Sequence, residues 1–244
     1  MVTKDRVLEK LENEKGNFIS GGNLALEFGI SRNAVWKAVS ELKKEGYDIE
    51  SVSNKGYRLN KNCDIISEQS VKCELIKQGF DADKVEIIVH DSIESTNVEA
   101  KKLLLNSDGI FKHGTIIVAR SQTSGKGHGG DSFESPEGGI YLSIILEPAK
   151  LKDSGKKVPR LAVAAVKNSL EKLTGCEVIQ KENSRLYIGK RKVSGILTEG
   201  IVDMETQEFS NYIVGIGIIP INKKMFSKHS KSEFIASIIK QILN

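Results

Sequence analysis

The chain has 244 residues, 39% hydrophobic and 28% charged, a balance that excludes a disordered polypeptide and suits one mid-sized domain plus a small one. No apolar run is long enough to span a bilayer and the opening MVTKDRVLEK is no signal peptide, so a cytoplasmic protein with no membrane partner is expected. The net charge of +4 does not by itself require nucleic acid, and Cys63, Cys73 and Cys176, without metal-ligand spacing, read as reduced thiols.

Periodicity predicts a helix over Lys4 to Asn13, with Val7, Leu8 and Leu11 on one face. Ser20 is placed to cap a short helix through Leu24 and Phe28, and Gly29-Ile30 makes a turn. Ser31 then caps a longer helix from Arg32 to about Glu45. Its buried face is Val35, Ala38, Val39 and Leu42 at i, i+3, i+4, i+7. The opposite face carries Arg32, Asn33, Trp36, Lys37, Ser40, Lys43 and Lys44. Two short strands within Tyr47 to Leu59, joined at Ser53-Asn54-Lys55-Gly56, complete a winged helix–turn–helix with Lys55 at the wing tip. The expected DNA-binding residues are Ser31, Arg32, Asn33, Trp36, Lys37 and Lys55, and the expected partner is a double-stranded operator. A three-helix protein-interaction module is the competing reading. The expected domain spans are 1–62 for this module, 63–83 for a linker in which Ile65, Val71, Leu75 and Ile76 could form a helix, and 84–244 for a second domain.

In that second part Lys84 to His90 reads as a strand, followed by Ser95-Thr96-Asn97, where Thr96 and Glu99 have capping-box spacing ahead of a helix through Leu105. Thr115 to Ala119 and Ile140 to Leu146 read as strands flanking a loop, SQTSGKGHGGDSFESPEGG, whose Gly125, Gly127, Gly129 and Gly130 leave room for backbone amides to close on a ligand. Pro159 opens a helix with Val163, Val166, Leu170 and Leu173 buried, and Gly175 closes it. A strand over Cys176 to Lys181 follows. A hairpin through Leu186-Tyr187-Ile188, a Gly189-Lys190 turn and Lys192 to Glu199 comes next, then a strand over Glu208 to Ile218. A last helix is capped by Ser230 and Glu233 and has Phe234, Ile235, Ile238, Ile239 and Ile242 inward. The fold class expected is α+β, a winged helix–turn–helix plus a mixed-sheet domain.

The glycine loop resembles the ligand loop of the biotin–protein ligases, Gly-Arg-Gly-Arg-x-Gly-Arg-x-Trp-x-Ser-Pro, with the glycines, Ser135, Pro136 and Gly138 in register. Ser95-Thr96-Asn97, the Lys192 to Glu199 hairpin and Gly215-Ile216-Gly217-Ile218 resemble the same family. The N-terminal module resembles that of the bifunctional ligase and biotin operon repressor. The resemblance implies a biotin-ligase-like domain with ligand contacts from Ser95, Thr96, Asn97, Gln122, Gly125, Lys126, Gly127, Lys181 and Gly195. Lys181 is the catalytic lysine if the chain is active. It also implies biotin or a related small carboxylic acid as ligand, a homodimer, and, only for an active ligase, ATP with Mg and a biotin carrier protein. No metal is assigned, since His90, His113, His128 and His229 show no ligand spacing.

The phosphate-handling half of the pattern departs from the family. Lys126 keeps a positive charge at an arginine position, while the others hold His128, Gly129 and Asp131, and Phe133 replaces the tryptophan. Lys181-Glu182-Asn183-Ser184-Arg185 stands where the family has Lys-Trp-Pro-Asn-Asp, and Ile219-Pro220 follows Gly-Ile-Gly-Ile where it has asparagine. The sequence stops at the helix that would precede the family's small C-terminal β-barrel. One lysine against Asp131, Glu134 and Glu137 makes the loop a poor home for a triphosphate. Three functions are therefore expected in turn. They are a ligand-responsive regulator with catalysis reduced or lost, a working bifunctional biotin–[acetyl-CoA-carboxylase] ligase and repressor, or a module binding another small acyl acid.

Overall fold

The structure is a computed structural model that describes residues 3–106, 113–151, 157–182, 184–222 and 225–244. Asn183, in the second of the motifs above, lies outside them.

Three helices and a hairpin form the first unit: α1 (Thr3–Asn13), α2 (Gly21–Phe28), α3 (Arg32–Lys44), β1 (Ile49–Val52) and β2 (Gly56–Leu59). The expected caps are in place, with the Ser20 hydroxyl accepting from the Gly22 amide and the Ser31 hydroxyl from the Ala34 amide. Gly29 closes α2 in the left-handed region, at φ 65°. Val7, Leu8, Leu11, Leu24, Val35, Ala38, Val39, Leu42 and Leu59 make one apolar core. Ile19 adds a third strand position against Tyr57. The wing turns through Asn54 and Gly56, both at positive φ, and the Ile19 carbonyl lies where a Gly56 side chain would begin.

Residues 63–83 contain α4 (Glu68–Lys77). Its Val71 and Leu75, with Ile66, Phe80 and Ala82, belong to the apolar core of the second unit, while Ile76 is exposed. The stretch thus packs on the second unit, and α1 packs on α4 in turn. The Cys73 thiol donates to Asn13 and the Lys15 ammonium to the Cys63 carbonyl.

The second unit is a seven-stranded mixed sheet. Its strands are β3 (Glu86–Ile93), β4 (Thr115–Gln122), β5 (Ile140–Leu146), β6 (Ile179–Lys181), β7 (Arg185–Ile188), β8 (Arg191–Val202) and β9 (Phe209–Ile218), in the order β3-β4-β5-β9-β8-β7-β6. Only β3 and β4 are parallel. β6 is shorter than the six residues the sequence predicts. One sheet face is covered by α6 (Val158–Thr174) and α7 (Lys231–Leu243), whose expected apolar stripes are all buried. The other face is covered in part by α5 (Thr96–Asn106), which rests on Ile117, Ile145 and Ile213. Beyond the N-terminus of α5 the inward residues on that face shrink to glycine, and the candidate site lies there.

Candidate ligand site and recognition face

Residues paired directly across neighbouring strands face the same side of a sheet. One such row runs Lys181, Arg185, Gly195, Gly217, Tyr141, Ala119, and a second, two residues along, contains Leu197, Gly215 and Ser143. The glycines leave a shallow cradle in the sheet, and the loop between β4 and β5 closes over it. A cavity of about 60 Å³ remains, lined among others by Ser95, Thr96, Asn97, Gln122, Lys126, Gly127 and Gly195. Most of the expected ligand residues are therefore brought together.

Their polar groups form one network. The Gln122 carbonyl oxygen accepts from the Thr96 amide at 2.8 Å and lies 3.2 Å from its hydroxyl, while the Gln122 amide donates to the Ser135 hydroxyl at 2.7 Å. The buried Ser143 hydroxyl sits between the Thr96 hydroxyl (2.7 Å) and the Asn97 side-chain oxygen (2.5 Å). Asn97 donates in turn to Glu199, which Lys101 also reaches. The Thr96 hydroxyl is thus engaged with Gln122 and Ser143 rather than capping its own helix, as the sequence spacing predicts. The first amide of α5 is satisfied across the sheet instead.

The glycine loop is a miniature hairpin. The Gly127 amide donates to the Asp131 carbonyl at 2.7 Å and the Phe133 amide to the Gly125 carbonyl at 2.9 Å. Gly129 and Gly130 turn the chain at φ 64° and 91°. Of the four loop glycines, Gly127 thus spends its amide on the loop itself. Gly125 does not line the cavity. Its missing side chain makes room first for the Phe133 carbonyl and then for Ser135, whose Oγ would lie 2.8 Å from a Cβ there. Tyr141 ties the far end down by donating to the Pro136 carbonyl at 2.6 Å.

Lys181 is not brought into the cavity. It stands at the sheet edge, exposed, with its ammonium 4.4 Å from the Tyr187 ring centroid, in an adjoining recess with Gln180 and Glu182 that shares Arg185 with the cavity. The cavity's cations are Lys126, Arg185 and Lys192. Sequence reasoning missed the last two. Strict alternation from Gly195 puts Val193 and Arg191 on its side of the sheet. A bulge, with Leu186 opposite Ser194 and Tyr187 opposite Lys192, skips one residue of β8 and turns Lys192 to the cavity. Arg185 pairs with Asp131 of the loop at 3.3 Å. The Lys192 ammonium lies 4.8 Å from the centroid of the Phe133 ring. Partial burial first, then the neighbouring Arg185, lowers its pKa below that of an ordinary lysine, with Asp131 opposing. Three cations against one carboxylate make the cavity positive, which the loop sequence alone does not show.

On the first unit, Ser31, Arg32, Asn33, Trp36, Lys37 and Lys55 are all exposed. Arg32 and Trp36 border a groove with Ser20, Gly22 and the wing residues Ser51 to Asn54. The Lys55 ammonium lies 5.8 Å from the Phe18 ring centroid. Among the described residues no ion pair involves Arg32, Lys37 or Lys55.

Residues 3–58 match the family model of an HTH domain. Residues 89–218, more than half of the chain, match that of the biotin/lipoate A/B protein ligase family. The chain belongs to this family. A curated relative, the bifunctional ligase/repressor BirA of Bacillus subtilis (strain 168), is 36% identical over 213 residues, which are 86% of this chain and 63% of the relative. The protein of the same name from Escherichia coli (strain K12) is 31% identical over 207 residues, 83% of this chain and 60% of its own. The chain therefore spans less than two thirds of the length of these relatives. A solved biotin acetyl coenzyme A carboxylase synthetase from Helicobacter pylori with bound biotinylated ATP shares the fold, with TM-score 0.52, 24% identity, and 65% of this chain and 73% of that one covered. Together these establish a helix–turn–helix domain joined to a biotin/lipoate ligase domain. Among the described residues no helix is long and apolar enough to cross a membrane.

Proposed function

We propose that the protein is a ligand-responsive transcriptional regulator of the cytoplasm. Its winged helix binds a double-stranded operator, and its ligase-family domain holds biotin or a related small carboxylic acid. Its ability to form an acyl-adenylate is reduced or lost. The observation that carries the last point is that Lys181 stands outside the cavity on which Ser95, Thr96, Asn97, Gln122, Lys126, Gly127 and Gly195 converge. Adenylation requires donors aimed at the phosphates beside the acid, and one misplaced donor typically costs about 3 kcal/mol, on the order of a hundredfold in rate. One recognition helix reads a half-site, so a two-fold homodimer on a palindrome fits the reading.

An active bifunctional ligase, passing biotin from MgATP to a carrier-protein lysine, is favoured by one specific observation. Arg185 and Lys192 bring to the cavity the positive charge that the loop lacks. Two measurements separate the readings: calorimetry with biotin, alone and with MgATP, and pyrophosphate release followed by transfer to a carrier lysine. Biotin heat without turnover is the expected result. Turnover near that of an ordinary ligase replaces the first reading with the second, and absence of both removes biotin as the ligand.

A further inference from the structure

The cradle floor is bare because Gly195 and Gly217 have no side chains, and the loop fills that space with its own aromatic ring. A side chain at Gly195 would begin 2.8 Å from the Phe133 ring, and one at Gly217 would overlap it. The ring is half-buried, edge-on to Tyr141 at 6.5 Å between centroids, and lies beneath the Lys192 ammonium. Its backbone is held by the Gly125 carbonyl on one side and the Ser135 hydroxyl on the other. Two residues earlier, Asp131 pairs with Arg185 on strand β7. What is left open, about 60 Å³, holds a water or two, whereas pockets for small organic ligands run to about 300 Å³ or more.

We propose that Phe133 is an internal occupant of the ligand cradle and sets its specificity: an acid bearing a ring binds by taking the place of the Phe133 ring. The incoming ring meets the same glycine floor and Tyr141 edge. Its carboxylate meets Lys192 and competes with Asp131 for Arg185, so that arrival of the charge releases the loop. Acids without a ring gain nothing from the vacated floor and are discriminated against. This rests on the reading of the cavity as a site for a small carboxylic acid.

The test compares wild type, Phe133→Ala and Asp131→Asn. Asp131 is exposed, so its amide variant leaves the core untouched. Without ligand, hydrogen exchange at the Gly127 and Phe133 amides is slow in wild type and about tenfold faster in either variant. Calorimetry with biotin then gives about tenfold tighter binding to Phe133→Ala, because the competent state no longer has to expel the ring. Equal exchange in all three proteins overturns the proposal, as does biotin affinity that is unchanged or weaker in Phe133→Ala. If biotin gives no heat with any of the three, the carboxylic-acid reading of the cavity fails, and exchange alone decides whether Phe133 is latched in the cradle.

Discussion

The recognition face and the ligand cavity each gather cations, one leaving them to solvent and the other drawing them into internal contacts. Arg32, Lys37 and Lys55 stand on a helix and a wing tip without ion pairs among the described residues. On the operator reading proposed above, such charges keep their hydration until a phosphate or base edge replaces it, so their effect would appear only on binding and be screened by salt. In the cavity, Arg185 is paired with Asp131 and Lys192 sits over Phe133. Those charges are already coordinated, and a ligand must exchange with a resident partner. The first region is built as an open surface, the second as a competition.

The sharpest way to break the contrast is to damage one region and ask whether the other notices. Gly56 is at φ 100°, and a side chain there would run into the Ile19 carbonyl. Gly56→Ala therefore costs about 2–4 kcal/mol of winged-helix stability, from left-handed strain and a backbone clash together. Denaturant melts and gel shifts should show the loss, while heat with biotin stays as in wild type. If ligand binding fell equally, the two units would be one cooperative structure.

The exposed cations come next. Arg32→Ala and Lys37→Ala should each weaken operator binding by about 1–3 kcal/mol, and Lys55→Ala should lower the salt slope by about one. Gel-shift affinities unchanged in all three variants would end the DNA reading of this face.

Within the cavity the contrast is between two lysines. Lys192→Ala should weaken binding of a small acid by about 1.4 kcal/mol, or tenfold, less whatever is regained by loosening Phe133. Lys181→Ala, outside the cavity, should change it by less than about threefold. The acid must meet Lys192 in its charged form. Since the Lys192 pKa is lowered, wild-type affinity falls as pH rises through that value, before an ordinary lysine of pKa 10.5 would discharge. Lys192→Ala lacks this fall. Calorimetry across alkaline pH checks it, and an identical pH profile in both variants would remove Lys192 from the site.

The unequal legibility of the two regions has the same cause as their unequal chemistry. The caps and the apolar stripe of α3 depend on near neighbours: Ser31 caps the helix that Arg32 begins, and Val35 to Leu42 repeat at helical spacing. The buried side of α3 is the one the sequence predicts. Strand and helix types in the second unit are legible for the same reason. The cavity instead depends on which residues of distant strands share a row. Ser95, Thr96, Asn97 and Gln122 converge as expected, but the Leu186/Tyr187 bulge that brings in Lys192 has no marker in the sequence, and the placing of Lys181 at an edge follows from strand order. Phe133 is visible in the sequence as an aromatic. Its role as an occupant depends on Gly195 and Gly217 lying beneath it, about sixty and eighty residues further on.

The smallest expected effect lies where the two units meet, at the contact of α1 with α4. Glu12, on α1 against α4, is 4% exposed, pairs with Lys15 at 3.1 Å, and keeps one carboxylate oxygen without a hydrogen-bond partner. Burial raises its pKa above the ordinary 4.5, and the opposing pull of Lys15 does not cancel this. A raised folded value means that the native state holds the proton more tightly than the unfolded chain. The stability this contributes is complete below the unfolded pKa and is lost as pH rises through the folded one. At neutral pH the charged carboxylate is therefore a cost. Glu12→Gln keeps the shape and removes that charge, while Lys15 retains the Cys63 carbonyl at 2.7 Å. The variant should be more stable than wild type by about 1 kcal/mol at pH 7, and the difference should vanish toward pH 4. Thermal melts at the two pH values decide it. A variant less stable at pH 7 would mean that the Glu12–Lys15 pair holds α1 against α4 more strongly than desolvation opposes it, so that α1 docks through charge where α3 offers charge to a partner.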